Sequence, residues 1–211
     1  MSDGQLSKLG FLLARALRRE DRLAGLSVGR GGLLDELRGK RVALVGNARS
    51  LAARAEGVEI DAADLVIRIN RAPMPDAVSH GSRTDWLALA TSIGADDLAR
   101  LHPSRLLWMS HKRKRLPWPV AATSGFYLHP LADWARLRDR LGAPPTTGLM
   151  MIDLLASSDA ATIRLHGFDF FASLSLTGSR RADQVPHDFA AERRFVADLM
   201  SSDPRVTQAG T

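Results

Sequence analysis

Hydrophobic and polar positions along this chain fall into short runs that switch between two periods. Val42, Ala43, Leu44 and Val45 form a β-prone run stopped by Gly46-Asn47, and Leu65, Val66, Ile67 and Ile69 form another, stopped by Asn70-Arg71-Ala72-Pro73. A polar connection separates the two. Residues 86–90, 105–109 and 162–165 continue the series of strands, the last stopped by Gly167. Helical patterns occupy 96–101, 131–141, 149–157 and 189–200, while Pro117 and Pro119 predict an irregular segment. Upstream, Leu6, Leu9, Leu13, Ala16 and Leu17 recur at helical spacing, with Lys8, Arg15, Arg18, Arg19 and Arg22 elsewhere around the wheel. The pattern predicts a helix packed on the domain with its basic face in solvent; a helix lying on a membrane surface is the second reading. Gly29-Arg30-Gly31-Gly32 reads as a linker, and 33–38 as a short helix capped by Gly39. Short strands alternating with helices predict an α/β domain, its mostly parallel sheet covered on both faces. The expected organisation is an amphipathic helical segment over 1–39 followed by one domain over 40–211.

Composition narrows the partners more than the fold. At 211 residues the chain can bury a substantial core, and 45% hydrophobic with 25% charged residues is ordinary for a soluble domain. Twenty-nine Lys and Arg against 23 Asp and Glu give a formal charge of +6, which favours anionic partners such as nucleotide sugars, acidic glycans or anionic lipid. The basic run His111-Lys112-Arg113-Lys114-Arg115 reads as a solvated loop. Nucleic acid is not an expected partner, since only charge speaks for it. With no cysteine, disulfides and thiolate metal sites are excluded, and a reducing compartment fits. No apolar run approaches the roughly 20 residues that span a bilayer. Phe11-Leu12-Leu13-Ala14 is cut short by Arg15, so no signal peptide is read and a cytoplasmic location is expected.

The candidate chemistry sits where strands end. In an open α/β sheet, ligands bind outside the carboxyl ends of the strands, where Asn47 and Asn70 fall. An amide that donates and accepts suits a base or a ribose phosphate. Neither GxGxxG nor GxxxxGK[ST] begins at Gly46, so the turn carries no dinucleotide or P-loop fingerprint. Thr147 and Gly148, after Pro145-Thr146, stand at a helix start, whose unpaired N–H groups and dipole favour an anion; taken alone, Thr-Thr-Gly is an ordinary N-cap. Asp188 reads as the N-cap of the last helix. That leaves His187 at a loop edge, able to accept a proton near neutrality. His80, His102, His111, His129 and His166 show no shared metal spacing and read as surface or satisfied histidines. Trp86, Trp108, Trp118 and Trp134 read as packing residues.

Together, these pieces resemble glycosyltransferase family 29, the sialyltransferase family. Val45-Gly46-Asn47, Glu59-Ile60-Asp61 and Arg68-Ile69-Asn70-Arg71-Ala72-Pro73 are similar to its large sialylmotif, and Gly81-Ser82-Arg83-Thr84 to the residues that follow it. Pro145-Thr146-Thr147-Gly148 through Gly167-Phe168 resembles the small sialylmotif, and His187 with Glu192 the His-x4-Glu motif. The resemblance runs from about Lys40 to about Met200 and implies a Rossmann-like variant of the GT-A fold. It further implies an inverting, metal-independent transfer of a sialic acid-like or other acidic sugar from a CMP-sugar to a glycan or glycolipid acceptor, with no cofactor. By motif match, Asn47 and Asn70 would contact the CMP phosphate and its ribose or base. Thr146, Thr147 and Gly148 would help hold the nucleotide, Phe168 would border it, Glu192 would support the site, and His187 would deprotonate the acceptor hydroxyl.

The chain departs from that pattern in places. No histidine or tyrosine lies between Phe171 and His187, where the family carries a His-Tyr motif whose histidine assists the leaving phosphate. Arg180 and Arg181 are candidate replacement cations or members of a solvated loop. Arg49 follows the first asparagine motif as a candidate phosphate contact. The disulfide that joins the large and small motifs of luminal members cannot form here, which points to a bacterial-type relative. Two readings stand: a transferase, or a non-catalytic relative that binds a nucleotide or glycan. The basic N-terminal helix adds an expected peripheral contact with the inner face of a membrane.

Overall fold

The computed structural model describes residues 6–169 and 186–210. Seven strands, β1 (Arg41–Val45), β2 (Leu65–Ile69), β3 (Trp86–Leu89), β4 (Arg105–Trp108), β5 (Tyr127–Leu128), β6 (Thr162–His166) and β7 (Val206–Gln208), pair in the order β5-β4-β3-β2-β1-β6-β7. Every pairing is parallel, with Val42 opposite both Leu65 and Ile163. The expected mostly parallel α/β sheet is therefore wholly parallel. Its winding reverses at β1: strands two to five are laid down on one side, β6 and β7 on the other.

Among the described residues ten helices surround the sheet: α1 (Lys8–Ala16), α2 (Glu20–Ala24), α3 (Arg30–Leu37), α4 (Gly57–Asp61), α5 (Ala77–His80), α6 (Ala95–Leu101), α7 (Trp118–Ala121), α8 (Leu131–Leu141), α9 (Thr147–Ala156) and α10 (Phe189–Ser202). Alternating strand residues feed opposite cores, as the period of two requires. Val42, Leu44, Leu65, Ile67, Ala88, Ile163 and Leu165 pack with α3, α8, α9 and α10. On the other face Leu87, Leu89, Leu106 and Trp108 meet α1, α2, α6 and α7, and Ala43, Val45 and Val66 meet Ile60 of α4. Residues from the first 39 thus join both layers, Phe11 on one side and Leu33 and Leu37 on the other. Trp86 and Trp108 are core residues, and Trp118 and Trp134 are half-buried.

Several local expectations are corrected. Gly29-Arg30-Gly31-Gly32 is not a linker but the N-cap and first turn of α3, held there because Leu33 and Leu37 are fully buried. The connection after β1 is a 3-10 turn (Arg49–Ala53) followed by α4. Pro117 caps α7 rather than breaking the chain, since a proline costs no hydrogen bond in a first turn. Two short strands, β5 and β7, carried too few residues to show a period, and β7 follows the last predicted helix. The basic run is not simply a solvated loop. Arg113 is buried, donating to His129 O at 2.6 Å and Ser110 O at 2.7 Å and pairing with Glu20. The leucine face of α1 also lies opposite to expectation: Phe11 and Ala14 turn inward, while Leu9, Leu13 and Leu17 are exposed. An aromatic ring buries more apolar area than any of these leucines, and α1 orients accordingly. Among the described residues no helix is long and apolar enough to cross a membrane.

Behind the sheet end that carries Asn70, a buried cation organises the chain. Arg68 on β2 donates to Arg83 O at 2.7 Å, His80 O at 2.7 Å and Thr84 Oγ1 at 3.1 Å. Burial lowers its pKa to about 10, with Asp61 opposing, so it stays charged at neutral pH. Asp61 in turn accepts from Ser82 N at 2.8 Å, Ser82 Oγ at 2.9 Å and Arg83 N at 3.0 Å. Asp61, Arg68 and Gly81-Ser82-Arg83-Thr84 are thereby a scaffold that fixes the end of β2. Arg68→Leu strips the donor from three acceptors, and unfolding in urea is expected to show a loss of about 3 kcal/mol.

Candidate functional site

The winding reverses at β1, and in a doubly wound sheet the crevice that takes the ligand is expected at such a reversal, here beyond the carboxyl ends of β1 and β6. Gly46 follows β1 and Gly167 follows β6. Their backbones come so close that a Cβ on Gly46 would collide with the Gly167 carbonyl. Phe168 is wedged between that junction and the start of α9, where a Cβ on Gly148 would lie 2.7 Å from its ring. Both glycines are required by close approach.

The two asparagines meet on one rim of this crevice. Asn47 Nδ2 donates to Ile69 O at 3.1 Å, the carbonyl just before Asn70. Asn70 is in the left-handed region at φ +54°, a conformation asparagine tolerates, and its Oδ1 accepts from Ala90 N at 3.0 Å. Each side chain is half-buried and tied to a neighbouring strand end, so both are positioned before any ligand arrives. Arg49 stands exposed at the start of the 3-10 turn, with no ion-pair partner among the described residues.

On the opposite rim α9 begins. Thr146 is its N-cap, accepting from Leu149 N at 3.1 Å. Thr147 and Gly148 are the first two helical residues, whose N–H groups have no partner within the helix and sit at its positive end. The Thr146 hydroxyl is engaged elsewhere. It donates to Glu192 Oε2 at 2.8 Å, while Thr146 N donates to Glu192 Oε1 at 2.7 Å. Thr147 and Gly148 are therefore better placed than Thr146 to meet an anion.

His187 and Glu192 together grip the loop leading into α9. Asp188 caps α10, accepting from Ala191 N at 2.9 Å, and so leaves His187 just outside the helix. His187 Nδ1 lies 2.7 Å from Pro144 O. A carbonyl only accepts, so Nδ1 carries the proton and Nε2 presents its lone pair. Five residues on, Glu192 is buried in the first turn of α10 and holds Thr146. Burial pushes its carboxyl up to about 7, against the lowering effect of the two Thr146 bonds. The His-x4-Glu spacing is thus one helical entry whose two side chains reach Pro144 and Thr146. Sequence reading assigned Glu192 a supporting role but not this contact; Thr146 and Glu192 lie too far apart in the chain for spacing to pair them.

Arg180 and Arg181, with almost all of the stretch after Phe171, lie outside the described residues. Of the other histidines, His102 is exposed and His111 stacks on Trp134, whereas His80, His129 and His166 are buried rather than on the surface. His166 Nδ1 pairs with Glu56 Oε2 at 2.8 Å, and His80 Nδ1 with Ser79 Oγ at 2.7 Å. Among the described residues His129 has no hydrogen-bond partner on either ring nitrogen, and burial takes it down to about 4. Among the described residues no three His, Asp or Glu side chains converge as a metal site.

No curated protein sequence matched the chain. A mammalian sialyltransferase in complex with Gal-beta-1-3GalNAc-ortho-nitrophenol superposes with a TM-score of 0.63 at 18% identity, covering 98% of this chain and 80% of that one. A variant of the sialyltransferase CST-II in complex with CMP gives 0.55 at 13% identity, covering 80% of each chain. CstII from Campylobacter jejuni with the substrate analogue CMP-3FNeuAc gives 0.50 at 13%, covering 80% of this chain and 78% of that one. At these identities the likeness shows the fold. Residues 30–102, from α3 through β1, β2 and β3 to the end of α6, match the family model of glycosyltransferase family 29 (sialyltransferase), so that part of the chain is similar to this family.

Proposed function

We propose that the protein transfers a sialic acid-like or other acidic sugar from a CMP-sugar to a glycan or glycolipid acceptor, with inversion and without a metal ion. The observation that carries the reading is His187, whose Nδ1–H is fixed on Pro144 O in the loop that leads into α9, so that Nε2 keeps its lone pair for a proton. Support also comes from the family match and from the shared fold with enzymes whose structures hold CMP or a glycan. The setting is the reducing compartment, a bacterial cytoplasm, that a cysteine-free sequence fits.

In this reading Asn47 and Asn70 contact the nucleotide from one rim, and the N–H groups of Thr147 and Gly148 hold the phosphate from the other, with Phe168 lining the floor. As the bond from the anomeric carbon to the phosphate breaks, CMP leaves with the electron pair and the carbon becomes oxocarbenium-like. The acceptor hydroxyl attacks the opposite face while its proton passes to His187 Nε2, which gives inversion. The growing charge on the phosphate is met by the α9 dipole and by backbone N–H groups aimed at it.

CMP at about a hundredfold its Kd is expected to stabilise the fold by about 2–3 kcal/mol, read as a rise in Tm. His187→Ala is expected to keep that rise while transfer, assayed over a panel of CMP-sugars, falls by about a hundredfold or more. CMP binding without transfer by the native chain would assign it instead as a nucleotide-binding relative. Transfer is expected to be unchanged by EDTA; a loss restored by a divalent ion would overturn the metal-independent reading. Glu192 gives a separate prediction, on stability. Its folded pKa of about 7 lies above the ordinary 4.5, so its contribution is fully present below pH 4.5 and is lost as pH rises through 7. Urea titrations between about pH 5 and about pH 8 should show a fall on the order of 3 kcal/mol from this group. Glu192→Gln keeps an acceptor for Thr146 N and should remove that part of the pH dependence.

A further inference from the structure

Helix α1 shows water a face that soluble proteins normally hide. With Phe11 and Ala14 buried, Leu9, Leu12, Leu13 and Leu17 are 68%, 37%, 55% and 69% exposed. At 100° per residue they fill one arc of about 140°. Scattered exposed leucines need no explanation, but a contiguous row marks a contact surface.

The charges bordering this row indicate what covers it. Arg15 Nη1 donates to Leu116 O at 2.8 Å, which brings the turn Arg113–Arg115, some 100 residues away in sequence, beside α1. Arg113 is buried there, while Lys112, Lys114 and Arg115 stay exposed. With Lys8, Arg18 and Arg22 they make six exposed cations that have no ion-pair partner among the described residues. Among the described residues of α1 and α2 the two acids are already engaged, Glu20 with Arg113 at 2.6 Å and Asp21 with Arg19 at 3.1 Å. A second copy of the chain would set like charges against each other across the leucines, and a nucleic acid would leave the leucines in water. An anionic bilayer surface satisfies both features, taking the side chains into its headgroup boundary and neutralising the cations.

We propose that the α1 leucine row and the adjoining 112–115 turn form a docking surface for an anionic lipid bilayer. The turn follows the carboxyl end of β4, so it emerges from the same sheet edge as Asn47 and Asn70. The test is co-sedimentation of the full chain with vesicles of phosphatidylcholine alone or mixed with phosphatidylglycerol. The chain is expected to sediment with mixed vesicles, and partitioning should fall by about tenfold or more in high salt or on neutral vesicles. Leu13→Asp, and separately the pair Lys114→Glu with Arg115→Glu, are expected to weaken it by about tenfold or more with thermal melting unchanged. Absence of sedimentation with mixed vesicles would overturn the proposal, as would equal binding to neutral ones or binding that neither variant alters. A concentration-dependent dimer abolished by Leu13→Asp would also overturn it, assigning the row to a second copy of the chain.

Discussion

The structure turns on the contact between the ends of β1 and β6. A parallel sheet that winds in one direction only leaves no crevice at its carboxyl edge. This chain reverses at β1, and the two strands flanking the reversal leave it through glycines whose backbones nearly touch. A side chain on Gly46 would force the Gly167 carbonyl away, carrying Phe168 off the start of α9. The positions of the groups proposed to face the nucleotide, drawn from the segments after β1, after β6 and before α9, depend on that approach.

The second organising contact runs between pieces of chain about fifty residues apart. Glu192 takes both polar hydrogens of Thr146, and His187 takes the carbonyl of Pro144, so α10 clamps the loop that delivers α9 to the crevice. A carboxyl held at the edge of ionisation by burial is an unusual choice for a clamp, since its neutral form is favoured wherever water is excluded. It serves because both Thr146 donors meet it in good geometry. The group that holds the anion-facing helix start and the group proposed to move the proton are thereby parts of one rigid entry into α10.

Much of this was legible in the sequence because the relevant signals are local. The runs 42–45 and 65–69 announced β1 and β2, and the Gly-Asn and Asn-Arg-Ala-Pro stops announced the polar strand ends. Asp188 as a cap correctly placed His187 outside its helix. What stayed hidden depends on partners distant in the chain. Three glycine-rich residues fold into α3 only because Leu33 and Leu37 find a core, and local propensity argues the other way. The orientation of α1 was inverted because counting leucines ignores that one phenylalanine can outweigh them. Arg113 looked like one charge among four until His129 O and Glu20 closed around it. The scaffolding role of Arg68 and Asp61 was likewise invisible, since nothing in an arginine or an aspartate says that its partner is a backbone group in a loop not yet folded.

The hydrogen bond from His187 to Pro144 carries a consequence for timing. A carbonyl holds the Nδ1 proton in place and cannot take it away, so an imidazole fixed in this manner exchanges protons at one atom only. In the proposed reaction, the proton removed from an acceptor has to depart through the opening by which it entered, and the new glycosidic product stands in that opening. On that proposal the base would reset only after the product had moved off, because the loop holds the other ring nitrogen.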